Sequence, residues 1–359
     1  MYSKPVMQTS FSLTRRSLLG SFALAAVLPA CTTPGLPGAD CEPPSVNGID
    51  WTPDVAHPVA WGEEHLGPAD GAPRPLSIYY PSHRFIPPRP ILRHCLAKWP
   101  LVLFLHGDPP QGLTTAQRAA YHRLWWRVPV ALARSGYVVA VPRHTANPNP
   151  SDAALAEVAT DVEWLRTSWA GSPWIATSTS FIGHSWGAVL AGRAASELPA
   201  AAFVSLGGGL PGSPVANRLP TFPVPAFYMY LDNKSTGSLP ENLDGMWDGF
   251  AEPRWRAVYS GRHFDYLDPG SSGSEPRGGC DLIGGVAADL VALFFAANVQ
   301  SLTQVPPDLS KPTPPLSEAQ QALAIQHLTS VDRIGQSPGC RVDLAWRVVG
   351  QEGTRTLGA

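Results

Sequence analysis

The sequence predicts an α/β fold with a mostly parallel central sheet flanked by helices. Apolar runs of strand length, such as "WPLVLFLHGD" and "YVVAVPRH", are continuous rather than alternating, as expected of strands buried on both faces. Segments with apolar residues at helical spacing lie between such runs, so strand and helix alternate along the chain. The 359 residues are 44% hydrophobic and 15% charged, enough apolar material for a sizeable core. A net charge of −2 with no long basic run argues against a nucleic-acid partner.

In chain order, "PLSIYYPS" is a short β-type run and "WPLVLFLHGD" a buried strand ending in His106, Gly107 and Asp108. "TTAQRAAYHRLWWRVPVALARSG" reads as helix interrupted near Pro129, and "YVVAVPRH" as a second buried strand. "SDAALAEVATDVEWLRTSWAG" opens on a Ser-Asp cap and places Leu155, Val158, Val162 and Leu165 at helical spacing. "SFIGHSWGAVLAG" follows as strand, turn and helix. "AAFVSLGGG", "VPAFYMYLDN" and "RWRAVYSGRHF" read as strands, and "LIGGVAADLVALFFAANV" as a closing helix. This main domain spans residues 56–300. Residues 301–359 form an extension packed on it, with a Pro-rich start, a short helix from Ser317 to Leu328 and an ambiguous tail.

Residues 1–30 read as an address rather than as part of the fold. Arg15 and Arg16 precede the apolar run "SLLGSFALAAVLPA", which is shorter than the roughly 20 apolar residues that span a bilayer. "TRRSLLG" resembles a twin-arginine export signal, and "LPAC" resembles a bacterial lipobox. These likenesses imply a periplasmic or cell-envelope lipoprotein held to a membrane through lipid on Cys31, or a secreted protein if the lipid is lacking. A Pro/Gly-rich spacer occupies residues 31–55. Four further cysteines remain, Cys41, Cys95, Cys280 and Cys340, and an oxidising compartment allows two disulfides among them. The pairs Cys41–Cys95 and Cys280–Cys340 would pin the spacer and the extension. There is no Cys-x-x-Cys and the histidines are scattered, so no metal site is expected.

Ser185 lies between Gly183 and Gly187, with strand residues before it and small helical residues after. A serine hydroxyl needs a base to remove its proton and donors to hold the oxyanion that forms. A strand–turn–helix elbow presents the hydroxyl at the positive end of a helix dipole, and the two glycines let backbones approach closely. In such an elbow one oxyanion donor is the amide after the nucleophile, here Trp186. The other comes from the loop after an earlier strand, here Asp108. The base should be a late histidine after a strand, and His263 satisfies this. His106 belongs to the oxyanion loop, and the side chain of His184 should diverge from the serine at the turn. Asp232 ends the strand between nucleophile and base and fits the orienting acid.

The ordered set "LFLHGD", "GHSWG", "YMYLDN" and "GRHFDY" resembles the α/β-hydrolase superfamily over roughly residues 70–300. The "RHF" after a strand is similar to the small lidless esterases of the dienelactone-hydrolase, platelet-activating-factor acetylhydrolase and cutinase-like branches. The resemblance implies an α/β-hydrolase fold and carboxylic ester hydrolysis through a Ser-His-Asp acyl-enzyme, with no cofactor. It leaves the substrate open, since one fold carries many chemistries. An acyltransferase or peptidase using the same triad, or a catalytically silent binding protein, are the alternatives. The connection from "SLGGG" to "VPAFYMY" is too short for a large cap domain, so an open cleft for a small-molecule or polymeric ester is expected. Trp125, Trp126 and Trp186 are candidates to line its acyl side, though core packing is the simpler reading of Trp125 and Trp126.

Overall fold

A computed structural model of the chain describes residues 59–66, 74–82, 91, 98–110, 112–144, 151–208, 224–231, 247, 252–259, 263–267, 283–299, 342–348 and 351–357. Its strands are β1 (Val59–Leu66), β2 (Arg74–Pro81), β3 (Trp99–Leu105), β4 (Val138–Pro142), β5 (Ile175–His184), β6 (Ala200–Leu206), β7 (Ala226–Leu231), β8 (Arg254–Tyr259), β9 (Val342–Val348) and β10 (Gln351–Leu357). The helices are α1 (Thr115–Ala119), α2 (Arg127–Arg134), α3 (Asp152–Thr167), α4 (Trp186–Glu197) and α5 (Ile283–Asn298).

The strands form one sheet in the order β1-β2-β4-β3-β5-β6-β7-β8-β9-β10. The central six, from β4 to β8, are parallel. The outer two at each margin pair antiparallel. The sheet is therefore mixed: the expected parallel character belongs to its centre alone. β9 and β10 arise from the tail that the sequence leaves ambiguous. Their "VDLAWRV" and "QEGTRTL" lack the continuous apolar run of a central strand, because a margin needs one covered face at most.

Two apolar layers sandwich the sheet, and strand alternation sorts residues between them. Val102, Phe104, Ile182, Val204, Leu206 and Phe227 face α2 and α5. Leu101, Leu103, Leu105, Phe181, Phe203 and Ala226 face α3 and α4. The two layers follow from the connections. The chain steps from β3 to β4 by way of α2, then returns across β3 to β5 by way of α3. Parallel crossovers keep one hand, so reversing direction moves the helix to the other face. The reversal also opens a crevice beyond the carboxyl ends of β3 and β5, the place where open α/β sheets bind ligands.

Local signals explain the helix limits. Ser151 caps α3 through its side chain, which accepts from the Ala154 amide. Thr114 and Gln117 form a reciprocal capping box on α1. The interruption expected at Pro129 falls earlier, at Trp125 and Trp126, and Pro129 sits in the first turn of α2. A proline is tolerated there because the first-turn amides have no intrahelical acceptor. Among the described residues no helix is long and apolar enough to cross a membrane.

Candidate active site

Ser185 joins β5 to α4 with φ 55° and ψ −127°. Among the described residues it is the one non-glycine with positive φ. Such backbone costs about 1–3 kcal/mol and persists only where its surroundings hold it. Here three glycines do the holding. A Cβ on Gly183 would lie 2.2 Å from the Gly187 carbonyl oxygen, and one on Gly187 would lie 2.2 Å from that of Leu105. A Cβ on Gly107 would lie 2.6 Å from Cβ of Ser185. The elbow is thus pressed against the end of β3. On its other side the Ser185 amide donates to the Leu206 carbonyl at 3.1 Å.

The Ser185 side chain makes no capping bond to its own helix. Trp186 is the first residue of α4, so its amide has no acceptor within the helix. Asp108 follows Gly107 and is exposed, on the β3 side of the same elbow. The four residues 107, 108, 185 and 186 therefore come together at the crevice between β3 and β5.

His263 lies in the segment after β8, and its carbonyl accepts from His184 Nε2 at the end of β5. A Cβ on Gly207, just beyond β6, would lie 3.6 Å from His263 Nδ1, and one on Gly208 would lie 2.6 Å from the Ser185 carbonyl oxygen. Gly207 thus lies beside the base candidate and its neighbour Gly208 beside the elbow. Among the described residues, no hydrogen bond links the His263 ring to Ser185 Oγ. Burial lowers the His263 pKa below 6.5, because the imidazolium loses hydration. The segment is anchored: Tyr266 donates from its hydroxyl to the Met229 carbonyl at 3.4 Å and packs edge-on against Tyr259.

His106 and His184 occupy other places than the cleft. His106 is buried, donates from Nδ1 to the Gly107 carbonyl at 2.8 Å, and packs against Tyr121 and His144. His184 is fully buried, and its Nε2 donates to the His263 carbonyl at 2.8 Å. Burial pushes both rings well below the usual imidazole range, so both are neutral. The His184 ring lies against that of His263, the base candidate, with centroids 4.6 Å apart. By strand alternation His184 shares a face with Ile182, and α5 packs on that face.

Of the tryptophans, Trp125 is core, 3% exposed, and stacks on His184. Trp126 and Trp186 are 39% and 47% exposed. Core packing is therefore the right reading of Trp125 and the wrong one of Trp126. Asp232 lies outside the described residues, one position after β7. Cys31, Cys41, Cys95, Cys280 and Cys340 also lie outside them, as does the short helix expected from Ser317 to Leu328. Among the described residues, no group of three or more side chains is arranged to hold a metal ion.

No family model matches the chain. No curated protein matches it either. Among solved structures, a ferulic acid esterase from Streptomyces cinnamoneus is similar with a TM-score of 0.48 at 18% identity, covering 74% of this chain and 95% of that one.

Proposed function

We propose that the protein is an exported serine hydrolase that cleaves carboxylic esters. The observation that carries this reading is the backbone of Ser185: a non-glycine at φ 55°, wedged between the ends of β3 and β6, at the crevice where the strand order reverses. Strain of this kind is retained where geometry serves chemistry.

In the proposed reaction His263 Nε2 takes the proton from Ser185 Oγ as Oγ attacks the ester carbonyl carbon. The amides of Trp186 and Asp108 hold the resulting oxyanion. Collapse expels the alkoxide, which takes the proton from the imidazolium and leaves as alcohol, and Ser185 is left acylated. Water, deprotonated by His263, attacks the acyl-enzyme and releases the acid and free Ser185. Asp232 would accept from His263 Nδ1–H, fixing the tautomer and balancing the imidazolium. The absence, among the described residues, of a hydrogen bond between the His263 ring and Ser185 Oγ is compatible with this sequence, since catalytic hydrogen bonds often tighten only when substrate is bound. Exposed Trp186, next to the nucleophile, offers an apolar wall to the acyl or alcohol group.

The test is hydrolysis of p-nitrophenyl esters of graded chain length by wild type, Ser185→Ala, His263→Ala, their double variant and Asp232→Asn. Either alanine variant should lower kcat by about 10⁶-fold, and the double variant should be little worse. Asp232→Asn should cost about 10⁴-fold. Near-wild-type turnover by folded Ser185→Ala ends the proposal. Full activity in Asp232→Asn moves the acid to another residue and leaves the other two roles standing.

A further inference from the structure

We propose that His184 is a positioning residue for the base, holding the backbone of His263 so that its ring keeps the angle from which it serves Ser185. The proposal rests on the reading of Ser185 and His263 as nucleophile and base.

The hydrogen-bond chemistry leaves one arrangement. A backbone carbonyl can only accept, so the 2.8 Å contact between His184 Nε2 and the His263 oxygen requires a proton on Nε2. The ring is fully buried and neutral, so Nδ1 carries none. Nδ1 has no hydrogen-bond partner, and it faces Gly107, where a Cβ would lie 3.1 Å away. The Nε2–H is therefore fixed toward the base segment.

Packing fixes the ring in turn. Trp125 lies 4.4 Å from it between ring centroids, and the His263 ring lies 4.6 Å away. Tyr266 meets it edge-on at 5.4 Å. A side chain so enclosed loses no further rotamer freedom when it donates, and its bond transmits the position of β5 to the segment 263–267. His184 is the residue directly before Ser185 in that strand. The nucleophile and the carbonyl of its base are thereby joined through one side chain, although 79 positions separate the two histidines. The Tyr266 bond to Met229 ties the same segment to β7 and gives no such link to the strand that carries the serine.

Displacing a catalytic group by about 1 Å can cost about 100-fold in rate. His184→Leu keeps the volume apolar and removes the donor. Its kcat on a p-nitrophenyl ester should fall by roughly 10- to 100-fold with KM within about twofold, because the substrate-binding wall is untouched. His184→Gln can present its amide N–H at nearly the reach of Nε2 and should recover most of that loss. His184→Asn is equally polar but too short to reach the carbonyl, and should resemble the leucine variant. Rates are counted per active site by titration with a fluorophosphonate, so that a fall in folded fraction does not enter kcat.

Should the leucine variant not fold, the comparison of glutamine with asparagine carries the test. Wild-type kcat in His184→Leu, or equal kcat in the glutamine and asparagine variants, overturns the positioning role. Failure of the underlying reading shows separately: Ser185→Ala would then remain active, and wild type would resist the fluorophosphonate.

Discussion

At Ser185 the cost of an unusual backbone is met by neighbouring backbone, because glycines at 107, 183 and 187 let three chain segments touch. His263 carries a different cost. Its partial burial disfavours the imidazolium, so the ring stays neutral, and able to accept a proton, to lower pH than an exposed histidine would. A rate that needs neutral His263 rises with pH through its pKa and is flat above. The acid limb of kcat/KM should accordingly have its midpoint below 6.5, measured on free enzyme with subsaturating ester. A midpoint above 6.5 contradicts that environment for the ring. The turn at Ser185 was legible from residue types: the two glycines around it announce close backbone contacts that other side chains would block. The pairing of His184 with the His263 carbonyl was not legible, since a contact between residues so far apart in the chain depends on which face of β5 meets which segment after β8. Core packing suits Trp126 only if one helix runs through it, whereas the helical pieces end at Leu124 and restart at Arg127 and Trp126 is exposed.

The helices on one face of the sheet are α4 and α3, and α4 begins at the serine elbow. α4 leans on β3 at Gly187, where a Cβ would meet the carbonyl oxygens of Leu105 at 2.2 Å and His106 at 2.5 Å. Both obstacles are main chain, so Gly187→Ala should push the helix from the strand. Stability should fall by about 1–3 kcal/mol, and kcat by about 100-fold as the Trp186 amide moves. Denaturant unfolding and steady-state kinetics check the two effects. α3 is held to the sheet by Arg74 of β2, which pairs with buried Asp161 and meets Glu157 at 2.6 Å. Asp161→Ala leaves a buried guanidinium with half its partners and should cost about 3 kcal/mol. Its kcat per titrated site should stay at the wild-type value, since the partners of Arg74, namely Arg143, Glu157 and Asp161, include no residue of the proposed chemistry. The strands of the parallel centre were readable as apolar runs. β1 and β10 were not, because a marginal strand with Glu63, Glu64, Glu352 and Thr354 has the composition of a loop.

For the whole molecule, the address read in residues 1–30 makes a separable prediction. The mature protein should begin at Cys31 with a lipid mass on its N-terminal residue, as read by intact and peptide mass spectrometry of envelope fractions. A mature chain beginning at Met1 rejects both export processing and lipid, and an unmodified Cys31 or Thr32 at the start rejects the lipid alone. Chain order also bears on timing. The serine elbow is complete once β3, β5 and β6 have met, yet the segment that carries His263 is seated by β5, β7 and β8 together, through His184, Met229 and Tyr259. A ribosome that has released the chain only as far as β6 has made the proposed nucleophile without its proposed base. On the reading proposed above, hydrolytic power is latent until the last parallel strand docks, so turnover is itself a gauge of completed folding.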